Sequence, residues 1–415
     1  AVTLSRRYLT GRQLPDKAVD LLDTASARVR MSLDTVPEQL LQLQSQRQAI
    51  ELEQTAIAED IAIGNQPPLA SIDLLTEQAT VLTTQLAALE ARFNEEKQLV
   101  TTLMNSRLSP DSQVHVDKLQ KQLAQLQQGE PLLSLDVDVR TVATVIADWT
   151  GVPLSSLLKD EQRELLEMDK RLAQRVIGQD NALAALAQRI RASRTGLASE
   201  NGPQGVFLLV GPSGVGKTKT ALALADTLFG GEKSLITINM SEYQEAHTVS
   251  QLKGSPPGYV GYGQGGVLTE AVRKRPYSVV LLDEVEKAHR DVINLFYQVF
   301  DRGFMRDGEG REIDFRNTVI LMTANLGSEQ LMQQLEIAPE SAESELQAAI
   351  YPILRDHFQP ALLARFQSII YRPLNPTALR SIVEIKLSAV MRRLYTHYRL
   401  TGIVEESLYD TLVEA

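Results

Sequence analysis

The feature that most constrains the fold is a glycine-rich loop of the form GxxxxGK[ST], which lies between an apolar run, 206–210, and a predicted helix, 218–228. The loop consists of Gly211, Pro212, Ser213, Gly214, Val215, Gly216, Lys217 and Thr218. Its glycines let backbone N–H groups face phosphate oxygens, and the helix adds the positive end of its dipole. We expect Lys217 to neutralise the β- and γ-phosphates of ATP and the Thr218 hydroxyl to bind Mg²⁺. A glycine-rich turn without a ligand is the less favoured alternative.

Four apolar segments, 206–210, 235–239, 278–282 and 318–323, alternate with segments of helical periodicity. This alternation predicts an α/β domain with a mainly parallel sheet. We place this P-loop domain at residues 171–375. The rest of the chain has helical patterns, so the predicted fold class is an α/β P-loop module joined to α-helical regions.

Two carboxylates follow the third of these strands. Asp283 and Glu284 come directly after the apolar run 279–282, and open α/β sheets bind ligands beyond the carboxyl ends of their strands. We expect Asp283 to hold Mg²⁺ and Glu284 to polarise the attacking water, a base that a hydrolase needs and a nucleotide kinase does not. A strand that ends in Asp-Glu is often only a surface edge, but its position after a P-loop favours the catalytic interpretation.

The fourth strand also ends in a polar residue, Asn325. At the same edge of the sheet, its amide would lie between the γ-phosphate and the attacking water and would orient both. An asparagine that only caps the following turn is an equally weighted alternative.

A second glycine-rich segment, 254–266, contains six glycines, two prolines and two tyrosines in thirteen residues. A loop of this composition is mobile and buries its aromatic residues poorly. An exposed aromatic residue on such a loop suits gripping a polypeptide of any sequence by apolar contact. The candidate gripping residues are Gly258, Tyr259, Val260 and Gly261. The alternative is a surface lid with Tyr259 turned inward.

Residues 38–130 differ in character, because Gln, Leu and Ala dominate and Phe93 is the only aromatic residue. Helices are predicted at about 38–63, 71–107 and 112–128. The second helix carries apolar residues in the 4-3-4-7 spacing of a coiled-coil seam, at Leu82, Leu86, Leu89, Phe93 and Val100. Prolines between the helices favour a chain that folds back as an antiparallel arm over a passive dimerisation coil. A short β-like stretch is predicted at 133–139.

Composition excludes several classes of protein. The 42 basic and 52 acidic residues give a net charge of −10, which is unusual for a nucleic-acid-binding protein. The chain has no cysteine, which fits a reducing compartment, and its five histidines lack zinc-ligand spacing. No apolar run approaches the ~20 residues of a membrane span. The chain starts without Met and ends in a helical pattern, so we expect a fragment of a longer protein.

Together, these motifs closely resemble the second ATPase module of the Clp-type AAA+ protein-unfolding machines. The resemblance covers essentially the whole chain and includes segments 7–9, 14–23, 149–153, 175–179 and 358–366. It implies that Val176 and Ile177 hold the adenine of ATP. It also implies a homo-hexameric ring in which Arg365 stabilises charge on the γ-phosphate of the neighbouring subunit. Around Arg365 the family's usual Asn-Arg-Ile-Asp is replaced by Ala-Arg-Phe-Gln.

The resemblance also implies a division of the chain and an activity. Residues 1–37 and 131–170 would be the first module's small domain and linker, 38–130 a coiled-coil insert, 171–375 the second large domain, and 376–415 part of its small domain. Hydrolysis would move the Tyr259 loop along a central channel and pull a protein substrate through. The implied location is the bacterial cytoplasm.

The insert, about 90 residues long, resembles the type VI secretion branch, which recycles contracted secretion sheaths; disaggregases carry a longer arm. Residues 147–151 also resemble that branch. Protease-feeding members carry Ile-Gly-Phe or Ile-Gly-Leu where this chain has 326–328, Leu-Gly-Ser, so no protease partner is expected. We therefore predict sheath subunits as the substrate, with general disaggregation as the second choice.

Two alternatives belong to other classes of protein. A nucleic-acid-associated AAA+ ATPase is supported only by basic residues at 273–275 and at Arg189, Arg191 and Arg194. Such helical clusters are mostly solvated faces, so no nucleic-acid partner is expected. The other alternative is a coiled-coil scaffold whose P-loop module only senses nucleotide.

Overall fold

A computed structural model describes residues 1–9, 13–63, 69–107, 113–127, 131–152, 154, 165–194, 202–258, 263, 265–398, 400 and 402–414. The chain divides into two compact units, Ala1–Trp149 and Thr150–Ala415. Across the described residues, no helix is long and apolar enough to cross a membrane. The same residues contain no group of three or more His, Asp or Glu side chains suited to holding a metal ion.

Unit 1 is helical. Its helices are α1 (Val2–Tyr8), α2 (Asp16–Asp34), α3 (Glu38–Ala62), α4 (Leu69–Arg107), α5 (Gln113–Gln127) and α6 (Val139–Thr150). The three helices predicted between 38 and 128 are therefore present. The predicted β-like stretch at 133–139 is wrong, because residues 131–138 form no strand and Val139 begins α6. Leu133 is instead buried against helices, and its backbone N–H binds a side chain, so it has no neighbouring strand to join.

Helix α4 packs against α5 through one apolar cluster. Val100 and Leu103 of α4 meet Leu119 and Leu123 of α5, and Leu133 belongs to the same cluster. All five side chains are at least 92% buried, the largest exposure being 8%. The burial of this cluster is what holds the two helices together, since apolar contact area is the main stabilising contribution in such pairs.

The seven-residue gap in the predicted seam, between Phe93 and Val100, is occupied by a buried carboxylate. The Glu96 side chain is 0% exposed. Its Oε2 accepts hydrogen bonds from the backbone N–H groups of Leu132 (3.0 Å) and Leu133 (3.2 Å) and from Gln127 Nε2 (3.1 Å). Its Oε1 accepts from Arg92 Nε at 3.1 Å. Glu96 therefore binds the chain segment after α5 to the middle of α4.

Unit 2 contains a five-stranded sheet in the order β2-β3-β6-β1-β7, with all neighbouring strands parallel. The strands are β1 (Gly205–Val210), β2 (Leu235–Asn239), β3 (Val279–Asp283), β6 (Val319–Ala324) and β7 (Gln367–Ile370), and β4 (Phe304–Arg306) and β5 (Glu312–Asp314) form a separate antiparallel hairpin. The predicted α/β fold with a parallel sheet is confirmed.

The helices of unit 2 precede, connect and follow these strands along the chain. They are α7 (Met168–Arg175), α8 (Asp180–Ala192), α9 (Lys217–Phe229), α10 (Val249–Lys253), α11 (Val267–Lys274), α12 (Arg290–Arg302), α13 (Ser328–Ile337), α14 (Glu343–His357), α15 (Pro360–Leu363), α16 (Pro376–Tyr398) and α17 (Glu406–Glu414).

The register of the central strands brings their carboxyl ends to one level. Val210 of β1 pairs with Ala324 of β6, and Leu282 of β3 pairs with Met322 of β6. The residues that follow these strands therefore meet at the same edge of the sheet. Each of the three strands is buried over nearly its whole length, which explains why all three read as continuous apolar runs.

The sequence did not predict β7 or the β4–β5 hairpin. Strand β7 has only two apolar residues, Ile369 and Ile370, after a polar start. The hairpin strands have three residues each, too few for an alternating pattern to stand out.

Candidate functional site

The P-loop lies between β1 and α9, as the motif predicts. Gly216 caps α9 with φ +103°, a left-handed conformation that a side chain would strain. Lys217 is the first residue of α9 and its side chain is 8% exposed. Its Nζ donates to the carbonyl oxygens of Gly211 (2.5 Å) and Pro212 (2.9 Å) and to Asn325 Oδ1 (2.8 Å).

Burial lowers the pKa of Lys217, because removing the ammonium from water disfavours its charged form. Three nearby carboxylates oppose this shift, with Glu286 contributing most, followed by Asp283 and Glu284. The three oxygens that Lys217 contacts directly are neutral. A phosphate group would supply the anion that this buried ammonium lacks as a direct partner.

Asp283 and Glu284 are positioned by a threonine of the neighbouring strand. Thr323 Oγ1 donates to Asp283 Oδ1 at 2.5 Å and accepts from the Glu284 backbone N–H at 3.0 Å. Glu284 is the only residue other than glycine with positive φ (58°) in the part of the chain that the structure describes. Such backbone conformations cost energy and concentrate at functional sites, where neighbouring contacts maintain them.

The Glu284 carboxylate is held in an ion pair. Its Oε2 lies 2.8 Å from Lys287 Nζ, and the two side chains are 34% and 47% exposed. This hydrogen bond raises the pKa of Lys287.

Asn325 follows β6 and joins Lys217 to a carboxylate. Glu286 Oε1 accepts from the Asn325 backbone N–H at 3.1 Å and from Asn325 Nδ2 at 3.2 Å. Asn325 Oδ1 meanwhile accepts from Lys217, as described above. The asparagine side chain is therefore held at both ends, by Lys217 and by Glu286.

A cavity of about 330 Å³ connects these groups. The predicted site residues that line it are Val176, Ile177, Ser213, Gly214, Val215, Gly216, Lys217, Thr218, Asp283, Glu284 and Asn325. The structure therefore places eleven of the predicted site residues around one cavity, whereas Gly211 and Pro212 do not line it but accept hydrogen bonds from Lys217 Nζ through their carbonyl oxygens. The Thr218 hydroxyl and the Asp283 carboxylate are hard oxygen donors of the kind that Mg²⁺ prefers.

Sequence reasoning missed several residues of this site. Leu374, Ile382 and Lys386 also line the cavity, and the last two come from α16. Gln179 is 3% exposed, and its Nε2 donates to Val215 O at 3.3 Å and to Arg372 O at 2.8 Å. It thereby fastens the segment that carries Val176 and Ile177 to the P-loop. No local pattern marks these residues, although Gln179 falls inside a segment of family resemblance.

Arg365 lies apart from this cavity. Its guanidinium contacts Asp301 at 2.6 Å and lies over the Tyr297 ring at 6.0 Å. It lines a second cavity of about 450 Å³, which also includes Arg189 and Phe300. The structure does not bring Arg365 together with the P-loop residues of the same chain.

Of the candidate gripping residues, Gly258 is exposed with φ +90°, whereas Tyr259, Val260 and Gly261 lie outside the described residues. We use the term loop neck for Lys253, Gly254, Gly265, Gly266 and Gly308, where this loop leaves the domain. Gly254 and Gly265 form an antiparallel bridge, and Gly308 N donates to Lys253 O at 2.9 Å. A Cβ atom on Gly266 would lie 2.2 Å from Leu252 O, and one on Gly308 would lie 2.6 Å from Gly254 C.

The sheet and the P-loop cavity define a nucleotide-binding module of the AAA type. Residues 202–369 match the AAA domain (Cdc48 subfamily), and residues 1–73 match an AAA lid domain. The chain belongs to the Clp-type AAA+ ATPases.

Named relatives support this assignment along the whole chain. The chain is 46% identical to the chaperone protein ClpB of Yersinia enterocolitica over 100% of its own length, and covers 48% of that protein. It is also 46% identical to the AAA+ ATPase ClpV1 of Pseudomonas aeruginosa over 100% of its own length, and covers 49% of that protein. The chain is 38% identical to the chaperone protein ClpB of Meiothermus ruber over 100% of its own length, and covers 51% of that protein. The chain thus spans about half the length of the relatives it matches.

Proposed function

We propose that the protein binds ATP with Mg²⁺ in the P-loop cavity and hydrolyses it. The observation that carries this proposal is the convergence of Lys217, Thr218, Asp283, Glu284 and Asn325 on one cavity. Thr218 and Asp283 would hold Mg²⁺, which neutralises charge on the phosphates when it is bound. Val176 and Ile177 would contact the adenine.

In the proposed reaction, Glu284 accepts a proton from a water molecule whose oxygen attacks the γ-phosphorus. The bond between the γ-phosphorus and the β–γ bridging oxygen breaks, and ADP and inorganic phosphate form. Lys217 and an arginine from the next subunit, Arg365, would balance the charge that develops on the phosphoryl oxygens. The Asn325 amide would orient the water. Catalysis here is mainly positioning and electrostatic stabilisation, as in other P-loop hydrolases.

We further propose that this reaction drives a homo-hexameric ring that threads protein through a central channel. Tyr259 and its neighbours would grip the substrate, and the loop neck would connect them to the sheet. In this proposal, residues 1–37 and 131–170 are the first module's small domain and linker, and 171–375 and 376–415 belong to the second module.

The insert at 38–130 is proposed to be a coiled-coil arm. Its support is the packing of α4 on α5 through Phe93, Val100 and Leu103, with the buried Glu96 between them, in a spacing of three and four residues. The short arm and Leu326-Gly327-Ser328 favour the type VI secretion branch, with sheath subunits as the substrate and without a protease. General disaggregation is the second candidate, because the relatives named ClpB and ClpV1 are equally identical to the chain.

The variant Glu284→Gln in the full-length protein tests the hydrolytic site. Removing the base should lower ATP turnover by about 10²–10⁴-fold and leave ATP binding in place, since the P-loop is untouched. Turnover is measured by phosphate release and binding by a fluorescent nucleotide. Glu329→Gln on the exposed start of α13 is the matched control and should behave as wild type. Equal turnover of the two variants would remove Glu284 from the mechanism.

The variant Tyr259→Ala tests whether substrate remodelling can be lost while ATP hydrolysis is retained. We expect nearly normal ATP hydrolysis with loss of substrate remodelling, and Tyr259→Phe should retain both because the aromatic ring remains. The substrates to compare are preformed secretion-sheath tubules and heat-aggregated enzyme. Dissolution of aggregates but not of sheaths would favour the disaggregase.

Salt-dependent DNA binding would instead support the nucleic-acid alternative, and ATP binding without turnover in an assembled ring would support the scaffold.

A further inference from the structure

We propose that Glu286 is a positioning residue for ATP hydrolysis, because it fixes the orientation of the Asn325 side chain. This inference rests on the proposed function and assigns a role to a carboxylate that the P-loop motif does not include. Glu286 lies in the single 3₁₀ turn, Val285–Lys287, that follows β3 and Glu284.

The geometry fixes one of the two possible orientations of the amide. Glu286 Oε1 accepts from both the backbone N–H and the Nδ2 of Asn325, at 3.1 and 3.2 Å. An ionised carboxylate can only accept, so it selects the NH₂ end of the amide. At the other end, Lys217 Nζ donates to Oδ1 at 2.8 Å, and an ammonium can only donate. Rotating the amide by half a turn would place donor against donor and acceptor against acceptor.

This orientation suits the task proposed for Asn325. The amide oxygen faces the cavity wall that carries Lys217, where it can accept a hydrogen bond from the attacking water. The amide nitrogen is turned away toward Glu286. Among the described residues that line the cavity, Asn325 is present and Glu286 is not. Glu286 would therefore act through Asn325 and not on the nucleotide.

Glu286 is half-buried, but one of its carboxylate oxygens is fully buried, which indicates that the residue is not there for stability alone. Its Oε2 is buried and has no hydrogen-bond partner among the described residues. A buried carboxylate oxygen without a partner costs free energy, so an apolar residue of the same size would serve packing better. Glu286 is also the carboxylate that most opposes the burial-lowered pKa of Lys217, which places it electrostatically within the site.

The test is a double-mutant cycle in the full-length protein, with steady-state ATP hydrolysis as the readout. Glu286→Ala should lower kcat about tenfold or more, because a misplaced positioning group commonly has an effect of this order or larger. KM and nucleotide affinity should change less than about twofold, since binding contacts remain. Glu286→Gln should stay within about threefold of wild type, because its amide oxygen can still accept from Asn325. The variant carrying both Glu286→Ala and Asn325→Ala should be no slower than Asn325→Ala alone.

Each result decides between separate claims. If Asn325→Ala leaves kcat unchanged, the role of Asn325 in the proposed function is wrong and the inference falls with it. If Asn325→Ala lowers kcat while Glu286→Ala does not, or if the two effects multiply, only the inference is overturned. Equal loss in Glu286→Gln and Glu286→Ala would also overturn it. Should the alanine variant fail to fold in thermal denaturation, Glu286→Met replaces it, since methionine keeps the volume and removes the acceptor.

Discussion

Two buried ionisable side chains, one in each unit, are partnered in different ways. Glu96 in unit 1 is 0% exposed and accepts four hydrogen bonds, one of them from the Arg92 guanidinium. Lys217 in unit 2 is 8% exposed, and the three oxygens that it contacts are neutral. The fold supplies an opposite charge in direct contact with the first residue, whereas the second has only more distant carboxylates.

This difference distinguishes a structural buried charge from one that serves a ligand. The charge of Glu96 is balanced by the protein itself, so its removal should reduce the stability of unit 1. The ammonium of Lys217 has a burial-lowered pKa and would be fully balanced by phosphate, so its removal should affect nucleotide binding. The following predictions test this contrast.

The largest expected effect is that of Glu96→Ala. Removing this carboxylate takes away the acceptor that two backbone N–H groups, Gln127 Nε2 and Arg92 Nε share, and breaking a buried charge pair typically costs about 3–5 kcal/mol. Trp149 is the single tryptophan and belongs to unit 1, so its fluorescence during urea unfolding reports on this unit. Glu95→Ala, at an exposed neighbouring position, is the control. A loss below about 1 kcal/mol for Glu96→Ala would contradict a structural role of this size.

Lys217→Met should weaken ATP binding by about 100-fold or more, equivalent to about 2.7 kcal/mol, because the buried phosphate partner is lost. The free energy of unfolding should fall little or even rise, since methionine removes a buried charge. Nucleotide affinity is measured by calorimetry and stability by denaturant titration. Lys219→Met, at an exposed position in the same cavity, should affect both quantities less. Large destabilisation by Lys217→Met would erase the contrast with Glu96.

The smallest effect is expected for an exposed ion pair of unit 1. Arg107 Nη1 and Nη2 each donate to Asp136 at 2.7 Å, but the two side chains are 36% and 63% exposed. Arg107→Ala should therefore cost at most about 1 kcal/mol at neutral pH, in the range of solvent-exposed pairs.

The pH dependence of this pair has a defined sign. The hydrogen bond with Arg107 lowers the pKa of Asp136 below its usual 3.8. Because the folded-state pKa is the lower one, the contribution is complete above pH 3.8 and disappears as the pH falls through the folded-state value. The difference between wild type and Arg107→Ala, followed by Trp149 fluorescence, should thus shrink below pH 3.8. A difference that stays constant with pH would assign the effect of Arg107 to packing.

The sequence predicted what depends on contiguous patterns. The P-loop, the apolar strands and the residues directly after them could be placed because parallel strands end at one edge. The helices of unit 1 were likewise evident from their periodicity. Residues that depend on tertiary contacts were missed: Thr323 supports Asp283 and Glu284 from an adjacent strand, and Gln179 reaches Val215 across the fold.

The acidic residues of both units illustrate the same limit of prediction from sequence. Asp283 and Glu284 have a motif that identifies them. The contact between Glu286 and Asn325 can be recognised only in the structure, where the β3–β6 pairing brings the two residues together. In unit 1, the interval between Phe93 and Val100 appears as a missing apolar position in the heptad. Only the structure shows that a charged residue fills it and that the donors come from 31 to 37 positions later in the chain, in addition to Arg92.

The loop neck limits which positions of this protein can be substituted during evolution. Backbone segments from three parts of the chain meet there with no space for a methyl group, at Gly266 and again at Gly308. Any side chain introduced at Gly266 or Gly308 would force these backbone segments apart. Within the loop itself, a Cβ atom on Gly258 or on Gly263 would meet nothing within 4 Å. Substitutions that accumulate during evolution should therefore spare Gly266 and Gly308, where any side chain would meet backbone atoms.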